Sequence, residues 1–201
     1  MRFVLASGNK HKAQEFESIL RLAGYASELL CIEAKDTAEC GVTYYQNAYR
    51  KADAGLAVWH QTYVSQEDIV VADDSGLELP EFGGIPGVYS ARFAYGGMPG
   101  RSGLALFLHD HGVTTTPANF VCWIIAFVPW TNTCVTARGI VCGTVSWSPR
   151  GSGGFGYDPL FIPTGHVVTF GEMDPKLKDS ISHRAVAIQE LWSSIEARMR
   201  L

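Results

Sequence analysis

No run of apolar residues in this sequence is long enough to cross a membrane, and no CxxC pair or GxxxxGK[ST] phosphate loop is present. The chain opens directly on an apolar strand at residues 3–6, without the layout of a signal peptide. Its five cysteines are odd in number, and several lie in apolar runs where a free thiol behaves as a small hydrophobe. A disulfide framework or a zinc site is therefore not expected, and a reducing, cytoplasmic setting is. A basic excess is missing too: 16 Lys and Arg stand against 20 Asp and Glu, for a net charge of −4. A nucleic-acid polymer or a membrane surface is a poor partner for such a chain, whereas a small anion needs only a few well-placed cations. Repeats, low-complexity stretches and long linkers are also lacking, so residues 1–201 read as a single domain. With 47% apolar and 18% charged residues, that domain can bury a full core.

What is there has the rhythm of an α/β protein. A buried strand over residues 3–7 leads through Gly8-Asn9 into a helix with Ala13, Phe16, Leu20 and Ala23 on one face. Thr43 and Gln46 form a capping-box pattern before a second helix, whose apolar face reads Tyr45, Ala48, Tyr49, Ala52 and Leu56. A short strand at 69–72 ends in Asp73 and Asp74, and residues 79–100 read as a structured loop rich in Gly and Pro. A helix follows near 101–109, then an antiparallel pair of long strands near 118–128 and 134–147. A short strand near 160–162 precedes a last helix with Ile181, Ala185, Ile188, Trp192, Ile195 and Met199 on one stripe. Interleaved helices and strands predict a mixed β-sheet with flanking helices.

Four segments bear chemistry. Ser7-Gly8-Asn9-Lys10-His11-Lys12 joins a strand to a helix, where unpaired backbone N–H groups, a glycine and two lysines can cradle phosphate. The same pattern also fits an ordinary turn with solvated lysines. Asp73-Asp74-Ser75 closes a buried strand, where open α/β sheets place ligands. Magnesium needs only one or two carboxylates there, and strand alternation leaves one aspartate to brace the turn. Phe155, Gly156, Tyr157 and Asp158 lie in a glycine-rich run, so Phe155 either stacks on a base or tucks into the core. Lys178, Ser182, His183 and Arg184 enter the last helix, where donors and the helix dipole favour an anion; a capped surface helix reads the same way. His109-Asp110-His111 reads as solvated loop.

The wording and order of these segments resemble the inosine triphosphate pyrophosphatase family, the non-standard purine NTP pyrophosphatases. The matching pieces are SGNKHK (7–12), TYYQNAYRKA (43–52), ADDSGLEL (72–79), GGIPGVYSARFA (83–94), GSGGFGYDPLF (151–161), TFGEM (169–173) and KDSISHRAVA (178–187). They cover essentially the whole chain. The resemblance implies an elongated mixed α/β fold with two lobes around a central nucleotide-binding cleft, a homodimer, and cleavage of the α–β phosphate bond of ITP, dITP and XTP. It implies that Ser7, Gly8, Asn9, Lys10, His11, Lys12 and Lys178 hold the phosphates. It places Glu39 and Asp74 on Mg2+, with Mn2+ as a substitute, and makes Asp74 the general base. Ser75 touches substrate, while Phe155, Gly156, Tyr157, Asp158, His183 and Arg184 surround the base. Ser7 stands where threonine is common, residues 38–41 are one residue shorter than in many members, and Asp179 replaces a frequent asparagine.

Hypoxanthine and xanthine present a 6-carbonyl that donors from His183 and Arg184 would satisfy, whereas adenine presents an amino group. Guanine shares the carbonyl, so this contact alone does not exclude GTP. The competing functions are the same cleavage on another modified or pyrimidine triphosphate, and a nucleotide-binding module without turnover.

Overall fold

The computed structural model describes residues 2–25, 28–33, 40–62, 65 and 67–199. In chain order the elements are β1 (Arg2–Ala6), α1 (Lys10–Leu22), β2 (Leu29–Ile32), α2 (Tyr44–Thr62), β3 (Asp68–Leu79), β4 (Ile85–Pro86), β5 (Ala94–Tyr95) and β6 (Met98–Pro99). There follow α3 (Gly100–Asp110), β7 (Thr115–Val128), β8 (Thr133–Ser146), β9 (Phe161–Pro163), α4 (Pro175–Ile181) and α5 (His183–Met199). The main sheet has the order β2-β1-β3-β7-β8-β9, with β4 added to β3. Strand β1 runs parallel to β2 and β3, while β3/β4 and β8/β9 are antiparallel. This is the mixed α/β sheet that the alternation of elements predicts. No helix among the described residues is long and apolar enough to cross a membrane.

The chain forms two compact units. The first comprises Met1–Asp74, Cys122–Gly139 and Arg184–Leu201; the second comprises Ser75–Val121 and Ile140–His183. In the first unit the two-residue period of the strands sorts side chains to two faces. Phe3, Leu5, Ile69 and Val71 join one core with Phe16, Ile19 and Leu20 of α1 and Ile188 and Leu191 of α5. Val4, Ala6, Val70 and Ala72 join another with Ala48, Ala52 and Trp59 of α2. Strands buried on both faces read as unbroken apolar runs, as FVLA (3–6) and IVVA (69–72) do. The second unit has its own core of Leu77, Leu79, Leu104, Leu108, Phe120, Phe161 and Phe170.

Four expectations are corrected. The buried stripe of α2 is Tyr44, Asn47, Ala48, Ala52, Gly55 and Trp59, and Tyr45 and Tyr49 stay 40% exposed. The reason is Gly55: a Cβ there would collide with Ala6, so the glycine edge is the one that packs on β1. Strand β3 does not stop before the aspartates but runs through both to Leu79. The segment 79–100 contains 3₁₀ turns at Pro80–Phe82 and Gly87–Arg92 and the small β5/β6 pair. The last helix is two helices, because Ser182 is extended (φ −69°, ψ 159°); Ile181 ends α4 and His183 begins α5.

One buried polar cluster closes the end of the first unit. The carboxylate of Asp68, fully buried at the start of β3, accepts bonds from Arg2 Nε (2.8 Å) and Nη2 (2.7 Å) and from Trp59 Nε1 (2.7 Å). Burial opposes its ionisation, but the bonds from Arg2 and Trp59 and the charge of Arg2 outweigh that and hold its pKa below the usual carboxylate value. Removing one partner of a buried pair leaves the other desolvated, so Asp68→Ala is expected to cost about 3 kcal/mol in urea unfolding. A depressed folded pKa stabilises above the unfolded value of about 4 and is lost as pH falls through the folded value, so wild-type stability should decline below about pH 4 more steeply than that of the variant. Equal stability of the two proteins at pH 7 would contradict this role.

Candidate active site

The period of β3 that sorts its apolar residues also parts its two aspartates. Asp73 continues the row of Ile69 and Val71 towards α1 and α5, and Asp74 continues that of Val70 and Ala72 towards α2. Both are buried, so each needs its own cations. Asp73 Oδ2 receives Lys12 Nζ at 3.0 Å and Arg184 Nη2 at 3.1 Å, with Cys122 Sγ at 3.9 Å. Asp74 Oδ1 receives Lys51 Nζ at 2.9 Å, and its Oδ2 receives Asn47 Nδ2 at 3.1 Å.

Their acidities diverge accordingly. Burial opposes ionisation of Asp73, but the charges of Lys12, Arg184 and Lys51 override it and hold the carboxyl far below the carboxylate range. For Asp74 burial prevails and raises the pKa, although Lys51, Lys12 and the bonds from Lys51 and Asn47 pull the other way. The two neighbouring carboxyls thus differ in acidity, Asp73 held low and Asp74 raised.

The turn before α1 behaves as a cap. Asn9 Oδ1 accepts from the backbone N–H groups of His11 (3.0 Å) and Lys12 (3.3 Å), and Ser7 Oγ accepts from Asn9 N (3.2 Å). Gly8, Asn9, Lys10 and His11 are exposed and Lys12 is half-buried. Arg184, bonded to the same Asp73 oxygen as Lys12, differs from its expected place. It is wholly buried, with its guanidinium bound to Asp73 and, through Nη1, to Glu15 of α1. Desolvation would lower its pKa, but Glu15 and Asp73 raise it, so it is a permanent cation spent on two carboxylates.

In the second unit Phe155 and Asp158, expected around a base, are in contact with Lys178, which the resemblance places on the phosphates. Asp158 Oδ2 accepts from Phe155 N and from Lys178 Nζ, both at 2.7 Å. Lys178 is buried, with its ammonium 5.2 Å from the centre of the Phe155 ring and 6.0 Å from that of Phe170. The loop turns tightly at Gly154 (φ +65°), where a Cβ would drive into the Asp158 carboxylate, and Gly156 is exposed. Tyr157 is buried and donates to Ser90 O at 2.8 Å, so its hydroxyl anchors the loop. Phe155 is half-buried, as is Ser75, which follows Asp74 on β3. His183 stacks face to face on Phe120, at 4.7 Å and 8°.

Glu39 lies outside the described residues. Asp74 offers hard oxygen donors, and Asp73 Oδ1 is a buried oxygen with no hydrogen-bond partner among the described residues. No group of three or more His, Cys, Asp and Glu able to hold a metal occurs among them.

The sequence reading missed Asn47, Lys51 and Glu15. The structure buries Glu15 on α1 and Asn47 on α2, and Lys51 lies one turn beyond Asn47.

Comparison with known proteins gives matches along almost the whole chain. The Ham1 family model matches residues 3–194. A dITP/XTP pyrophosphatase of an Exiguobacterium species is 38% identical over 198 residues, covering 97% of each chain. That of Sulfurimonas denitrificans is 37% identical over 191 residues, covering 94% of this chain and 95% of the relative. Among solved structures, the Staphylococcus aureus Ham1 protein superposes with a TM-score of 0.76 at 31% identity, covering 98% of this chain and all of that one. A HAM1 protein from Coxiella burnetii gives 0.75 at 30% identity, covering 98% and 99%. With this match along almost its whole length, the chain belongs to the Ham1 family.

Proposed function

We propose that the protein hydrolyses ITP, dITP and XTP to the nucleoside monophosphate and pyrophosphate. The observation that carries this reading is the carboxylate pair of β3, Asp73 and Asp74, each bound to a lysine. It is supported by relatives that are named dITP/XTP pyrophosphatases. Lys12 Nζ lies 3.0 Å from Asp73 and Lys51 Nζ 2.9 Å from Asp74, so both carboxylates hold a lysine beside them for an incoming triphosphate.

Asp74 takes the proton of a water that attacks the α-phosphorus; the bond to the bridging oxygen breaks and pyrophosphate leaves. Lys51 and Asn47 fix the two oxygens of Asp74 while it does so. Ser7 to Lys12 bind the phosphates, Lys10 and Lys12 by charge and the exposed turn by its side chains. Asp74 and Glu39 would hold magnesium, or manganese in its place, which would neutralise charge on the phosphate oxygens when bound. On the base side, Phe155 stacks on the purine, Asp158 orients Lys178, and Ser75 contacts the substrate. The bond of Lys178 to Asp158 and its place beside Phe155 support a donor to the 6-carbonyl, shared with His183. Arg184, engaged by Asp73 and Glu15, supports the site from within the core. With all five cysteines unpaired, we assign the protein to the cytoplasm, acting as a homodimer.

Asp74→Asn should lower kcat for ITP by at least about 100-fold while the thermal transition stays cooperative. A folded variant with near-normal turnover would contradict the assignment of the base. Lys178→Ala should narrow the ratio of kcat/KM for ITP over ATP by about tenfold, and an unchanged ratio would remove Lys178 from base selection. In a panel of triphosphates with magnesium, ITP, dITP and XTP should release pyrophosphate fastest. Orthophosphate as the product, or a pyrimidine triphosphate as the best substrate, would overturn the function.

A further inference from the structure

We propose that Asp73 is a positioning residue whose task is to aim the Lys12 ammonium, and that Arg184 and Glu15 exist to hold Asp73 in place for it. The inference rests on the phosphate role proposed above for Lys12. Its ground is a closed circuit of charges within the first unit. Lys12 and Glu15 project from the same face of α1, three residues apart. Lys12 Nζ reaches Asp73 Oδ2 on β3 at 3.0 Å. Glu15 reaches Arg184 at the start of α5, and Arg184 returns to the same Asp73 oxygen at 3.1 Å through Nη2 and 3.4 Å through Nε. Helix α1 is therefore tied to β3 twice, once directly and once through α5.

Burial shows which member of the circuit faces outward. The side chains of Asp73 and Arg184 are each 1% exposed and that of Glu15 5%, whereas that of Lys12 is 14% exposed. A lysine stem has four rotatable bonds and loses much rotamer freedom when its tip is held. The circuit makes that loss part of folding, so the ammonium is already aimed when a phosphate arrives. A purely structural ion pair would not need its one accessible member to be the flexible cation of the phosphate turn.

The test is a double-mutant cycle on pyrophosphate release from ITP. Lys12→Ala alone should lower kcat/KM about 100-fold, the scale of losing one charged donor at a reacting phosphate. Asp73→Asn alone should lower it about 20-fold, and the double variant should lie within about twofold of Lys12→Ala, because Asp73 then has nothing left to aim. Independent losses that multiply would overturn the positioning role while leaving the phosphate role of Lys12 standing. A Lys12→Ala loss below about threefold would instead overturn the phosphate reading and this inference with it. Should Asp73→Asn fail to fold, Glu15→Gln enters the same cycle. Its smaller loss should also vanish in the Lys12→Ala background, and a loss that persists there overturns the proposal.

Discussion

Two neighbouring carboxylates on one buried strand point to opposite faces and need hydrogen-bond donors on each, and the arrangement of the first unit answers that constraint. The pleat of β3 sends Asp73 and Asp74 to opposite faces, so the helices on the two faces must each bring cations into the core. Helices α1 and α5 bring Lys12 and Arg184 to one face, and α2 brings Lys51 and Asn47 to the other. An unpaired buried charge would cost several kcal/mol, which is why the polar positions of three helices follow from two residues of a strand.

The same constraint gives two identical side chains different chemistry. Asp73 meets two cations and becomes a permanent anion, while Asp74 is left with one lysine and an amide and is pushed upward by burial. Division of labour between adjacent carboxylates by their surroundings is a general route to an acid–base pair from one residue type. In the second unit the same logic works through Asp158, whose single oxygen fixes both the loop amide of Phe155 and the ammonium of Lys178. There the cation lies against aromatic rings, which suits a flat, polar-edged ligand better than a phosphate.

The sequence revealed the architecture well where periodicity was strong. The runs FVLA and IVVA are visibly core strands, the Thr43–Gln46 cap starts α2, where Gln46 N bonds Thr43 Oγ1, and the long strands β7 and β8 emerge within three residues of their expected ends. It misled where a polar residue sits inside an apolar pattern. Tyr45 and Tyr49 look like core and Asn47 and Lys51 like surface, yet the close approach allowed by Gly55 rotates α2 the other way. The break at Ser182 was equally hidden, since Ile181 falls in phase with the stripe of α5 and only the backbone departs. Candidate site residues could be located by motif, but not their partners. Nothing in the spacing says that Arg184 turns inward to Asp73 and Glu15, because that contact joins residues 111 and 169 positions apart.

The central claim is that Asp74 directs water to the α-phosphorus, and the most direct measurement is the fate of the water oxygen. Hydrolysis of ITP in ¹⁸O-labelled water, followed by mass spectrometry of both products, should place the label in the nucleoside monophosphate and leave pyrophosphate unlabelled. Label in the pyrophosphate would mean attack at the β-phosphorus and would contradict the account.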